Sequence, residues 1–123
     1  MRIYANAYYQ TGLKYIDLGD HKKAIWALKT AEKINPEFVD ADFLENLGQS
    51  YYFLKEYKKA VCIFEKSLFF SPENSTAYNT LGICYYHLGN TDKAIFHLKE
   101  ALRINPNNPS ALSNLNLILE LKK

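Results

Sequence analysis

Cysteine is scarce: Cys62 and Cys84 are the only two in 123 residues, too few for the disulfide framework of a small secreted fold. Charge imbalance is equally lacking. Fifteen Lys and Arg stand against thirteen Asp and Glu, net +2, and only Arg2 and Arg103 are arginines, which argues against a nucleic-acid-coating protein. No stretch approaches the roughly 20 apolar residues a membrane-spanning helix needs. The N-terminal run Met1-Arg2-Ile3-Tyr4-Ala5-Asn6 has no apolar core of an export signal, so a reducing, cytoplasmic setting is expected. There is no phosphate-binding glycine loop, HExxH, CxxC or GxSxG. His21, His87 and His97 have no metal-ligand spacing. No enzyme, metal or cofactor is expected. Cys84 reads as a core residue, and Cys62 with His97 lacks the third group a catalytic dyad would need to orient it.

What the chain does have is tyrosine, ten of them, and a repeat. Thr11-Gly12-Leu13-Lys14-Tyr15, Leu47-Gly48-Gln49-Ser50-Tyr51 and Leu81-Gly82-Ile83-Cys84-Tyr85 are versions of one word, spaced almost evenly along the chain. A second word follows each: Lys23-Ala24-Ile25, Lys59-Ala60-Val61, Lys93-Ala94-Ile95. A third closes each unit: Asn35-Pro36, Ser71-Pro72, Asn105-Pro106. Three words in fixed order at a period of about 35 residues are the signature of stacked structural repeats.

Each unit reads as two helices. Tyr8, Gly12 and Tyr15 share one helical face. Gly19 and Gly89 suit the left-handed residue just past a helix end, with Lys55 in that place in the middle unit. Asp20 and Asn90 suit the N-cap of the returning helix, and Pro36, Pro72 and Pro106 end it. Glycine inside a helix costs ~1 kcal/mol against alanine, so Gly12, Gly48 and Gly82 mark places where another helix comes close. A hairpin of this kind cannot bury its apolar face alone and stacks on neighbours.

The pattern resembles the tetratricopeptide repeat family. The third unit matches it at Tyr78, Leu81, Gly82, Tyr85, Ala94, Leu98, Ala101 and Pro106. The second matches at Leu44, Leu47, Gly48, Tyr51, Ala60, Phe64 and Pro72, and the first at Tyr8, Gly12, Tyr15, Ala24, Leu28, Ala31 and Pro36. Thr11 for Leu and Ser67 for Ala are the departures. The resemblance implies an all-α, right-handed solenoid: three helix-turn-helix units at about 5–38, 41–74 and 75–108 and a capping helix at 109–122, seven helices forming one domain. The two additional residues near Glu37-Phe38-Val39-Asp40 would lengthen the link or the next helix. Asn108 and Pro109 suit the start of the last helix.

The resemblance also implies that the first helix of each unit lines a concave groove. The expected groove residues are then Tyr9, Leu13, Asp42, Glu45, Asn46, Gln49, Tyr52, Phe53, Asn79, Ile83, Tyr86 and His87, with Leu117 and Leu121 on the last helix. The groove positions hold Asp17, Asp42, Glu45 and Glu120 but no Lys or Arg. A protein segment with apolar and basic residues is the matching partner. A family subtype clamps the C-terminal carboxylate of chaperones with Lys, Asn and Arg. The matching positions here are Tyr9, Leu13, Asn46, Thr76 and Thr80, and without the cations a carboxylate would be buried unpaired, so that ligand is not expected. Trp26, Phe69 and Phe96 fall on the outward face of the second helices, a second contact surface. Neither nucleic acid nor membrane is expected as partner. A self-associating scaffold using Leu117 and Leu121, and the substrate-recognition part of a larger enzyme, stay open as rivals to an interaction module.

Overall fold

The computed structural model describes residues 2–123, and side chains from Tyr4 onward. Met1, at the head of the stretch read above for an export signal, lies outside the described residues. Among the described residues seven α-helices follow one another: α1 (Arg2–Asp17), α2 (His21–Ile34), α3 (Ala41–Phe53), α4 (Tyr57–Phe70), α5 (Ser75–His87), α6 (Thr91–Ile104) and α7 (Pro109–Lys122). The fold is an all-α helical solenoid. The chain divides into two compact units, Met1–Phe70 with α1 to α4 and Ser71–Lys123 with α5 to α7.

One turn chemistry closes all three hairpins. After α1, the Gly19 N–H donates to the Ile16 carbonyl and the Asp20 N–H to the Tyr15 carbonyl, both at 2.9 Å. Lys55 and Glu56 repeat this after α3, and Gly89 and Asn90 after α5. These paired bonds satisfy the last carbonyls of the helix and require a left-handed residue, and Gly19, Lys55 and Gly89 have φ of 77°, 62° and 84°. Lys55 bears a left-handed cost of about 1–2 kcal/mol that its glycine counterparts avoid. Side chains of Asp20, Asp40, Asn74, Asn90 and Asn108 each accept from the N–H three residues on, capping α2, α3, α5, α6 and α7.

The helical glycines are notches for the returning helix. A Cβ on Gly12 would lie 3.0 Å from Leu28, on Gly48 2.9 Å from Phe64 and on Gly82 2.7 Å from Leu98. The knob is thus the bulky residue of the returning helix, and Leu28, Phe64 and Leu98 are all fully buried. The lysine of the second word has a packing role too. Lys23 lies over the Tyr15 ring, Lys59 over Tyr51 and Lys93 over Tyr85, with the ammonium 5.2–5.7 Å from the ring centre, a cation–π contact in every hairpin.

Ser67, the departure from alanine, has a reason. Its hydroxyl donates to the Ala41 carbonyl at 3.0 Å, tying α4 to the start of α3. In the next hairpin the pair is exchanged. Ser75 takes the place of Ala41 in the repeat and Ala101 that of Ser67, and the Ser75 hydroxyl donates to the Ala101 carbonyl at 2.8 Å. The additional residues between α2 and α3 lengthen the link, forming a 3₁₀ turn at Pro36–Phe38. The Phe38 ring then packs edge-on against Tyr9 and Phe43.

Candidate functional site

In the first unit α1 and α3 carry eight of the twelve expected groove residues, and the structure brings Tyr9 and Asn46 together. The Tyr9 ring stacks on Phe43 with centroids 5.5 Å apart, and its hydroxyl accepts from Asn46 Nδ2 at 3.1 Å. Burial holds the Tyr9 phenol above its usual pKa; the Asn46 bond pulls it down, and Asp40 and Asp42 push it further up. Leu13, Glu45, Gln49 and Tyr52 are half-buried, while Asp42 is exposed. Phe53 is 58% exposed, yet it does not swing freely. His21 stacks on it at 4.8 Å, and His21 Nδ1 lies 3.4 Å from the buried Ser50 hydroxyl. Tyr52 sits edge-on to both Phe53 and Tyr57. α3 thus carries a ledge of held rings, with Tyr9 against its start near Asp42 and Tyr52 with Phe53 at its end.

In the second unit α5 and α7 enclose an apolar hollow of about 190 Å³, lined by Ile83, Tyr86 and His87 on one side and Asn114, Leu117, Ile118 and Leu121 on the other. Leu117 and Leu121 thus join the α5 residues at one site. Asn79 does not line it. It is 7% exposed, its Nδ2 donates to Ser110 Oγ at 3.0 Å and its Oδ1 accepts from Asn114 Nδ2 at 3.1 Å. Both bonds join α5 to α7, so Asn79 braces the wall and has its amide spent there. Nothing in the spacing singles out Asn114, because only the contact with α7 reveals its role.

Burial alone raises the Cys84 thiol to about 12, so it is a core group and no nucleophile. Among the described residues no three His, Cys, Asp or Glu side chains stand close enough to hold a metal ion, and no helix is long and apolar enough to cross a membrane. On the second helices of the hairpins Trp26, Phe69 and Phe96 are all more than half exposed. Trp26 also meets Tyr8 edge-on at 5.7 Å.

Models of the tetratricopeptide repeat match residues 5–38, 41–74 and 75–108, most of the sequence. The chain belongs to the tetratricopeptide repeat family. Solved structures share its fold at low identity. The first TPR of Spaghetti (RPAP3) bound to the HSP90 peptide SRMEEVD superposes with a TM-score of 0.86 at 21% identity, over 98% of this chain and 94% of that one. MamA gives 0.87 at 24%, over 96% and 68%. The TPR domain of Arabidopsis OM64 gives 0.84 at 19%, over 93% of each. No curated protein matches the chain. Tetratricopeptide repeat domains are protein–protein interaction modules and typically non-catalytic, so this chain is read as a protein-binding module.

Proposed function

We propose that the chain is a non-enzymatic adaptor. It holds a segment of a partner protein against α1 and α3 of the first unit and helps assemble a multiprotein complex. The observation that carries this reading is the ledge of held rings along α3, with Tyr9 near Asp42 at its start and Tyr52 and Phe53 at its end, on a helix that also carries Glu45 and no base. Its rings are held by stacking on Phe43 and His21 and by an edge contact with Tyr57, so little side-chain freedom is lost when a ligand lands on them. The second unit, by itself, has a place for one apolar side chain in the α5–α7 hollow. Apolar anchors with Lys or Arg nearby fit this chemistry, at an affinity on the order of micromolar for a flexible segment.

The RPAP3 structure carries a peptide ending in EEVD, and this chain is proposed to decline such a ligand. Asn46 has its amide on Tyr9. Thr80 is buried, with its hydroxyl on the Thr76 carbonyl at 3.1 Å. Tyr9, Leu13 and Thr76 supply no cation, so the terminal carboxylate would lose water without gaining a counter-charge. Two free cysteines suit a reducing, cytoplasmic setting.

A peptide array probed with the wild type and with Asp42→Lys/Glu45→Lys tests the reading. Wild type is expected to favour Lys- or Arg-containing peptides with an aromatic or aliphatic residue, and the variant to bind those peptides about tenfold more weakly. An unchanged charge preference refutes it.

A further inference from the structure

In the first unit α3 and the helices α2 and α4 differ in charge, while α1 is mixed, with Arg2, Lys14 and Asp17. Helices α2 and α4 carry seven lysines against two glutamates, Glu32 and Glu65, whereas α3 carries Asp42 and Glu45 and no base. Between α2 and α4 lies a cleft of about 210 Å³. Its apolar lining is Val39, Leu44 and Ile63, and Phe69 and Phe70 stand beside them. Phe69 is 84% exposed and Phe70 57%, their rings edge to face at 5.9 Å. Lys29, Lys66 and Glu32 complete the cleft. A wider hollow, which shares Lys29 and Glu32, continues along α2 past Trp26 to Lys33 and Pro36. Lys29, Lys33 and Lys66 have no carboxylate within ion-pair distance among the described residues.

Three features of this cleft select its occupant. Exposed aromatic side chains around a depression mark a contact surface. The volume is below that of an ordinary small-molecule site and suits one bulky side chain. The unpaired lysines outnumber Glu32 and call for a negatively charged neighbour on the incoming chain. Single-stranded nucleic acid would favour arginine for phosphate and stacking contacts, and neither α2 nor α4 contains one.

We infer that the α2–α4 cleft docks an acidic peptide segment of a second partner, one Leu, Phe or Trp entering between Phe69 and Leu44 while flanking Asp or Glu meet Lys29, Lys33 and Lys66. This surface is separate from the acidic ledge of the proposed function and selects the opposite charge. One module then joins two partners of unlike charge.

The test is selection of a random dodecapeptide display library on the wild type, followed by anisotropy titration of the enriched peptides. Peptides with two or more Asp or Glu around an apolar residue are expected. They should bind Lys29→Glu/Lys66→Glu and Phe69→Ala at least about tenfold more weakly and bind Asp42→Lys/Glu45→Lys as the wild type does. Loss in Asp42→Lys/Glu45→Lys instead assigns the peptides to the ledge and overturns the inference, as does failure to enrich acidic sequences. Full binding by Phe69→Ala reduces the effect to charge attraction without a cleft and also overturns it. Two further arms name the rival occupants. Binding to phosphatidylglycerol vesicles that Lys29→Glu/Lys66→Glu abolishes would make the surface a membrane contact. Concentration-dependent sedimentation abolished by the same variant would make the occupant a second copy. Either outcome overturns the peptide assignment.

Discussion

At Gly82 two effects of an added methyl group oppose each other. Alanine gains about 1 kcal/mol of helix propensity over glycine. Its Cβ, however, would lie 2.7 Å from Leu98 Cγ and 3.1 Å from the Ala94 carbonyl oxygen, and the latter is backbone that can yield only if α6 moves. Overpacking of this kind costs typically about 1–3 kcal/mol. At Gly12 the nearest atoms are Leu28 Cγ and Cδ2 at 3.0 Å, with the Ala24 carbonyl at an ordinary 3.4 Å. Overpacking therefore outweighs propensity at Gly82, and Gly82→Ala is expected to lose about 1 kcal/mol or somewhat more. The two effects nearly cancel at Gly12, and Gly12→Ala is expected to match the wild type closely. Gly48→Ala, facing the Phe64 ring at 2.9 Å, falls between them. Urea midpoints followed by circular dichroism rank the three, and a Gly82→Ala protein as stable as Gly12→Ala contradicts the notch.

At the scale of the element, α7 depends on one asparagine. Asn108 Oδ1 accepts from the Ala111 N–H at 3.1 Å, and its Nδ2 donates to Ser75 Oγ at 2.8 Å. The Ser75 hydroxyl in turn donates to the Ala101 carbonyl, so one short chain of bonds ties α7 to α5 and α6. Replacing an N-cap costs typically about 1 kcal/mol, and Asn108 is buried, so its partner Ser75 also loses a donor. Asn108→Ala is expected to cost about 2 kcal/mol and to speed amide exchange from Ala111 to Leu115 ahead of α6. Equal exchange in the two helices would argue against it. The helices themselves were legible in the sequence because their causes are local: glycine past the helix end, Asp or Asn at the cap, proline after the last turn. The helical notches were legible because the repeat states them three times. Asn79 was not, since its neighbours Ser110 and Asn114 lie 31 and 35 residues away on a helix that departs from the repeat. Nor was the Ser67/Ser75 exchange, which shows only when the hydroxyl of one helix is seen on the carbonyl of another. The ring contact of His21 with Phe53 joins two hairpins, and no spacing within either one announces it.

For the molecule as a whole, the fold turns burial into alkaline sensitivity. Tyr9 on α1, Tyr51 on α3 and Cys84 on α5 are each shifted upward, with removal from water the largest cause in every case. Lys59 opposes the shift at Tyr51, whereas Glu56 and Glu32 add to it. All three groups are neutral when protonated, and the fold favours that form. The unfolded chain releases these protons first, from near the ordinary values of 9.0 for the thiol and 10.0 for the phenols. The stability they contribute is therefore fully present below about pH 9 and is lost as pH rises toward the folded values, about 12 for Cys84. Because Tyr9 and Tyr51 belong to the first unit and Cys84 to the second, both units should weaken. Urea midpoints are expected to be level from pH 7 to 8.5 and to fall steadily from pH 9 to 11. Between pH 9 and 9.5 the phenols of the unfolded chain are still mostly protonated, so the slope there belongs chiefly to the thiol. Cys84→Ala should flatten that part of the profile whatever it does to the level. An equal slope in the wild type and Cys84→Ala would mean that Cys84 reaches solvent and that the α5 core is looser than the packing around Leu81 and Leu98 implies.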